Sequence, residues 1–400
     1  MGFGQVWWHL RRNGVGEVAR RAVRRVQTRL GPGGAVLPVL VGDIADSRRL
    51  TLTQPERRPE RGEGLTLGWL MTPPSLGSGG HTTAFRMVEG LEAAGHRCRI
   101  VLYDVYGGDP ASHAAVIRAG WPGVKAEVVA LDGGLDGLDA CVATSWQTAH
   151  ALASRTATPG TAVRRLYFAQ DFEAFFYPRG AEYALAEESY RLGLRIIALG
   201  HMVQDAIREE TGVAADFAPF GCDAGVYSLR NLGARSGVVM YTKPEVARRG
   251  YLLGKLALEE FHRRHPEQEL HVYGDPVRDW TVPVTRHERL SPDQLNALYN
   301  RTCAGLALSF TNISLVAEEM LAAGAIPVIN DSRYSRADLP NPHAVFAAPT
   351  PHGIADALGA IVEAADIPAR AAAAAASVRA DNWAPAQQAV RAVIEDEVYG

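Results

Sequence analysis

The strongest constraint on this chain is an alternation. Short apolar runs of strand length recur, and each is separated from the next by enough residues for a helix. The first set lies at 65–70, 99–103, 124–130, 139–144, 165–169 and 195–199. The first of these, 65–70, reads as a buried strand. A helix is expected over 82–94, where Gly95 can stop it. A second set begins near Gly237, with strands expected at 238–241, 270–273, 305–309, 325–329 and 344–346. Its helices are expected at 251–265, at 291–299 with Ser291 as N-cap and Pro292 in the first position, and at 317–323. Strands separated by helices imply parallel sheets covered on both faces. The fold class is therefore α/β, with two Rossmann-like domains.

The second set follows an interruption at 220–236, rich in Gly, Asp, Asn and Arg. We divide the chain into a basic extension and linker (1–64), a first domain (65–230), a second domain (231–382) and a terminal helix (383–400). A short strand is expected at 36–41 within the linker, and an alanine-rich helix at 369–380 before Trp383.

Composition narrows the class. Of 400 residues, 47% are apolar and 21% charged, so a substantial core can form and a disordered chain is excluded. The 41 basic and 44 acidic residues leave a formal charge of −3, which disfavours a basic nucleic-acid-binding coat. Cys98, Cys141, Cys222 and Cys303 are widely spaced and read as buried thiols. Scattered histidines form no HExxH pair, so no metal site is expected. No run reaches membrane-spanning length and no secretory leader opens the chain, so a cytoplasmic protein is expected, either free or at the inner face of the membrane. Residues 1–30 carry seven arginines against one acid, Glu17, with Trp7 and Trp8 ahead of them. This segment reads either as a solvated helix packed on the protein or as one resting on an anionic membrane.

Four segments carry candidate chemistry. The first, Gly77-Ser78-Gly79-Gly80-His81, follows a strand and opens a helix. There a helix N-terminus offers N–H groups to an anion, and Gly79 and Gly80 let backbone approach a ligand. His81 is placed to bind substrate or to cap the turn. The second, 165–180, releases Gln170, Asp171 and Glu173 from a strand end, with Phe172, Phe175, Phe176 and Tyr177 as walls for a sugar or nucleotide and Arg179 for an anion. The third places Lys243, Arg248 and Arg249 between a strand and a helix, where fixed cations would neutralise a diphosphate leaving group. The fourth places Thr311, Asn312 and Ser314 ahead of Glu318 and Glu319, a set of hydroxyl, amide and carboxylate groups suited to sugar hydroxyls.

From Leu65 onward these motifs, in this order, resemble the GT-B glycosyltransferases of family 4. The Gly79-Gly80-His81 loop is similar to the family's first glycine-rich loop. Lys243 and Arg249 resemble its basic pair, with the two residue types exchanged. Glu319-Met320-Leu321-Ala322-Ala323-Gly324 is similar to the second half of its Glu-seven-residues-Glu signature. Thr311 stands where the first Glu would be, with Thr311 and Asn312 able to replace part of its role. The run 167–180 narrows the likeness to bacterial polysaccharide rhamnosyltransferases of the WsaF type.

The resemblance implies two Rossmann-like domains with a facing cleft and a final helix crossing back to the first domain. It implies retaining transfer of a sugar, L-rhamnose, from a dTDP-sugar to a saccharide hydroxyl, with no cofactor or metal. Gly79, Gly80, Lys243, Arg249, Thr311, Asn312 and Glu319 would hold the donor. Gln170, Glu173, Tyr177 and Arg179 would recognise acceptor or sugar, and Asp171 and His81 would be catalytic. A noncatalytic nucleotide-sugar or glycan binder, a nucleotide-sugar epimerase and a natural-product glycosyltransferase are the alternatives.

Overall fold

The central strands are covered on both faces, as at Thr66–Met71 and Ile326–Asn330. The computed structural model describes residues 39–400 apart from 56–57, 158–162, 224, 288–289, 314 and 379–382. The basic segment 1–30 therefore lies outside the described residues, as do Ser314 and the start of the strand expected at 36–41. Where that segment is described, Val41–Asp43 forms a single 3-10 turn rather than a strand.

The first sheet comprises β1 (Thr66–Met71), β2 (Arg97–Leu102), β3 (Glu127–Ala130), β4 (Ala140–Ala143), β5 (Arg164–Ala169), β6 (Arg195–Leu199) and β7 (Asp216–Ala218), in the order β3-β2-β1-β4-β5-β6-β7. The second comprises β8 (Val238–Thr242), β9 (Leu270–Gly274), β10 (Thr285–Arg286), β11 (Ala304–Leu306), β12 (Ile326–Asn330) and β13 (Val345–Ala347), in the order β10-β9-β8-β11-β12-β13. The strand pairs of known register are parallel, for example Trp69 opposite Ile100 and Met240 opposite Val272. Each sheet starts at its centre, runs to one edge, then returns and fills the other. This doubly wound order places a switch point beside the first strand of each sheet, between β1 and β4 and between β8 and β11. Two parallel-sheet Rossmann-like domains of the GT-B type result.

The strands β7 and β10 were not expected. They have three and two residues, too few to give a hydrophobic run that sequence can reveal. Several helix starts follow side-chain chemistry. Ser291 accepts from the backbone N–H of Gln294, while the Gln294 side chain accepts from the Ser291 N–H at 2.8 Å, a complete capping box ahead of Pro292–Arg301. Helix Gly79–Ala93 begins three residues earlier than expected, because Ser78 accepts from His81 N and takes the cap position.

Contacts divide the described chain into two compact units: one of 39–168, 185–196 and 391–400, the other of 169–184 and 197–390. In the first, the segment read as a linker is bound in. Leu40 N–H donates to the Tyr103 hydroxyl at 2.8 Å, which donates to buried Asp43, and Asp43 also accepts from Arg155. Ala45 N–H donates to His150 Nδ1, and Arg165 donates to the Thr53 carbonyl. Glycine and proline content alone does not reveal such partners. The last helix, Ala384–Tyr399, ends in this unit, where Glu395 meets His96 and Asp396 meets Arg195.

The second unit is built around β8, β9, β11 and β12, with Val238, Val239, Phe261, Tyr299, Val328 and Ile329 fully enclosed. His271 of β9 is almost fully buried, and its Nδ1 lies 3.3 Å from His287 Nε2. Burial, then the charges of Arg301 and His287, lower its pKa from 6.5 to about 4. A base with a depressed folded pKa destabilises the fold when protonated. His271 should therefore cost stability as pH falls from about 6.5 towards about 4. Thermal melting across that window should flatten in His271→Gln relative to the parent; an unchanged slope would show that other groups govern the acid limb.

Candidate active site

A parallel sheet exposes the carboxyl ends of its strands on one edge, and loops leaving that edge gather at the switch point. In the second unit a concavity lies there. Met240 and Tyr241 of β8, Leu306 of β11, the following Ala307 and Leu308, Val316 and Arg249 line it. Its lining is mainly apolar, with the Arg249 guanidinium as its one charged group.

The loop that brings Arg249 there starts at Lys243 and is closed by backbone bonds. Val246 N–H donates to the Lys243 carbonyl, and Arg249 N–H to the Val246 carbonyl. Gly250 then takes φ +62° against Leu308 and Phe310. A Cβ at Gly250 would sit 3.0 Å from the Phe310 ring, so both the backbone angle and the close approach call for glycine. Phe310 N–H donates to the Arg248 carbonyl at 2.9 Å, tying this loop to the one that follows β11.

Arg249 is fixed by that second loop. Its Nη1 donates to Ser309 Oγ at 2.9 Å and to the Asn312 carbonyl at 3.4 Å. Ser309 is held in turn, since its N–H donates to Asn330 Oδ1 and the Asn330 amide donates back to its carbonyl. Burial pushes the Arg249 guanidinium pKa down and the neighbouring Arg248 adds repulsion, while Asp171 and Tyr241 pull the other way. Arginine stays charged through such shifts, so the outcome is a cation short of compensation.

Asp171 supplies part of that compensation. Its carboxylate accepts from Thr311 Oγ1 at 2.8 Å and from Asn312 N–H at 3.3 Å, and lies 3.8 Å from Arg248 Nε. The Asn312 side-chain amide donates to the Gln170 carbonyl at 2.6 Å. The Arg248 guanidinium lies 3.8 Å over the Phe176 ring. Burial pushes the Asp171 carboxyl pKa up, against the pull of both arginines and of the two hydrogen bonds.

The structure thus brings together Gln170, Asp171, Arg249, Thr311 and Asn312. Thr311 and Asn312 do not cap the following helix, whose start has no side-chain cap; they bind the 170s segment instead. Glu319 lies on helix Val316–Ala322, and its negative charge reaches the buried hydroxyls of Tyr273 and Tyr299, which are 2.5 Å apart. Glu173 is buried at the start of the turn Glu173–Phe176. Tyr177 ends that turn, and Arg179 is exposed beside Tyr183. Phe172, expected as a pocket wall, is fully buried and packs edge-on against Phe175.

Neither Ser309 nor Asn330 stands out in the sequence as a site residue. Asn330 ends the otherwise apolar β12, and that break in pattern was the available signal.

Gly79, Gly80 and His81 belong to the first unit. His81 has both ring nitrogens engaged, Nδ1 with Ser78 Oγ at 2.8 Å and Nε2 with the Thr72 carbonyl at 3.0 Å. A carbonyl only accepts, so Nε2 carries the proton and Nδ1 accepts from Ser78. Burial lowers the His81 pKa, and the ring holds the turn between β1 and its helix in the neutral form. Among the described residues, no group of three or more His, Cys, Asp or Glu side chains is arranged to hold a metal, and no helix is long and apolar enough to cross a membrane.

Comparison with known proteins matches residues 134–201 to the N-terminal domain of WsaF and residues 236–359 to its C-terminal domain. Over these two regions the chain is similar to WsaF. The two matched regions contain all of Asp171, Arg248, Arg249, Thr311, Asn312 and Glu319. The chain is also similar to the O-antigen biosynthesis protein RfbC of Myxococcus xanthus, 30% identical over 318 residues. That similarity covers 74% of this chain and 24% of RfbC, so the chain spans about a quarter of that relative's length. Solved structures with the same fold include HepE of Anabaena in complex with UDP (TM-score 0.64, 12% identity, 83% of this chain and 100% of that one). WaaG, a glycosyltransferase involved in lipopolysaccharide biosynthesis, matches with TM-score 0.58 and 13% identity over 84% of this chain and 100% of its own.

The glycines of the first loop differ in what they tolerate. Gly77 has φ +78°. Gly79 opens a helix, and a methyl group added there would meet no atom within 4 Å. Gly77→Ala should cost about 1–2 kcal/mol of stability. Gly79→Ala should leave stability unchanged or slightly raised. Denaturant melts of the two variants check this, and equal losses would remove the distinction.

Proposed function

We propose that this chain is a nucleotide-sugar-dependent glycosyltransferase acting in bacterial glycan synthesis. The observation that carries the reading is the Arg249 guanidinium, fixed by Ser309 and Asn312 in the wall of an apolar pocket at the β8/β11 switch point. That is where a nucleoside diphosphate meets a doubly wound sheet. The UDP named for HepE and the glycan-synthesis names of RfbC and WaaG support the same class.

In this reading Lys243 and Arg249 neutralise the diphosphate, and Glu319 accepts from the ribose hydroxyls. Gly79 and Gly80 lend backbone N–H groups. Gln170, Glu173, Tyr177 and Arg179 contribute to sugar or acceptor recognition. The donor we favour is dTDP-L-rhamnose, from the likeness of the 167–180 run to the WsaF type.

Transfer would retain configuration at the anomeric carbon. The bond from that carbon to the phosphate oxygen breaks while the bond to the acceptor oxygen forms on the same face. The acceptor proton passes to the departing phosphate oxygen, so no protein nucleophile is needed. The role of the chain is electrostatic: fixed cations stabilise the charge that develops on the leaving group. Asp171 is engaged with Thr311 and Asn312, and His81 with Ser78 and Thr72. We therefore give the proton to the phosphate rather than to either side chain.

Purified protein should be incubated with dTDP-, UDP- and GDP-sugars and saccharide acceptors, and products followed by mass. A mass-shifted acceptor is expected, most readily with dTDP-L-rhamnose. Conversion of the donor without an acceptor would indicate an isomerase, and binding without turnover a noncatalytic binder. Arg249→Ala and Lys243→Ala should each weaken donor use about 10- to 100-fold, the range for losing a charge-assisted hydrogen bond. Parental donor kinetics in both variants would remove this site assignment.

A further inference from the structure

Asp171 is a carboxylate hydrogen-bonded at the junction of the 170s, 248–250 and 309–312 segments, and its burial is unfavourable. It is 5% exposed and faces two guanidiniums. It accepts from a threonine hydroxyl and from a backbone N–H, both in the loop that also holds Arg249. Arg248 Nε–H is buried, lies 3.8 Å from Asp171 Oδ2 and makes no hydrogen bond. Asn312 Oδ1 is likewise a buried acceptor without a partner. Asp171 thus faces the arginine pair from beyond hydrogen-bond distance of Arg248 Nε, whose buried N–H has no acceptor. A diphosphate arriving at Arg249 would compete with Asp171 for the same positive charge, since unlike charges attract and the two anions repel across one guanidinium pair.

We propose that Asp171 is the resident counter-ion of the Arg248–Arg249 pair, a positioning residue that holds nucleoside-diphosphate affinity down and so favours release of the diphosphate product. It acts through the arginines and touches neither donor nor acceptor. Thr311 and Asn312 keep its charge in place. The inference rests on Arg249 being a diphosphate-binding cation.

The consequence has an unusual sign. Losing a residue from a binding site ordinarily weakens binding, whereas losing this one strengthens it. Isothermal titration of the full chain with dTDP, UDP, dTMP and thymidine, at mildly alkaline pH, tests this. Asp171→Asn keeps an oxygen to accept from Thr311 and removes the charge. It should bind the nucleoside diphosphate about tenfold more tightly, the monophosphate less so, and the nucleoside unchanged. Asp356→Asn, the same charge change on an exposed residue paired with Arg264, should shift affinity by less than about twofold. A merely structural role for Asp171 would weaken all the ligands together, without regard to their charge.

If Asp171→Asn does not fold, as judged by circular dichroism and melting, Asp171→Ser carries the same expectation. Unchanged or weaker diphosphate binding in a folded variant would overturn the counter-ion role and leave the donor site standing. Failure of the parent to bind any nucleoside diphosphate would remove both readings.

Discussion

A guanidinium held in protein rather than water must find negative charge, and the second unit is arranged around that demand. Arg249 directs one nitrogen at Ser309 and at the Asn312 carbonyl. Neutral oxygens orient a guanidinium but do not neutralise it. Arg248 beside it worsens the imbalance. Asp171 therefore becomes more than one polar contact among many. Thr311 and Asn312 are turned towards it and away from capping the helix that follows. The aromatic turn after it is drawn in, with Phe176 beneath Arg248 and Phe175 against Tyr334.

The sheet order supplies the place where this electrostatic problem arises. β8 starts the second sheet and β11 lies on its other side, so the loops leaving their carboxyl ends diverge and leave a concavity. The same topology in the first sheet puts the Ser78–His81 turn after β1, with Thr144 beyond β4 bonded to the Leu70 carbonyl. The two turns differ in their finish. The first unit closes its switch-point turn with neutral groups that satisfy one another, Ser78, His81 and Thr72. The second leaves a buried donor on Arg248 and a buried acceptor on Asn312 unmet. Unmet buried polar groups cost stability.

Much of this was legible in the residues. Mainly apolar runs marked every described strand except β7 and β10, and the central parallel strands, buried on both faces, carry few polar positions to blur the signal. The basic loop after β8 and the carboxylates before Gly324 were visible as polar groups at strand ends. The two missed strands are too short to carry a pattern, and the segment read as a linker is bound by Tyr103, His150 and Arg165, all far away in sequence. Phe172 looked like a pocket wall because an aromatic residue in a loop is as compatible with a core as with a surface. The burial of Asp171 was equally hidden, since its partners lie 140 and 141 residues away.

The sequence by itself determined the parallel α/β class, the switch-point loops and the kinds of charge they carry, because strand burial and helix capping are local consequences of residue type. Tertiary structure alone decided which of those charges meet. It paired Asp171 with Thr311 and Asn312, closed His81 off between Ser78 and Thr72, and fixed Arg249 through Ser309 and Asn330. Hydrogen bonds and ion pairs depend on distance in space, and a chain specifies those distances only after its helices and strands have packed.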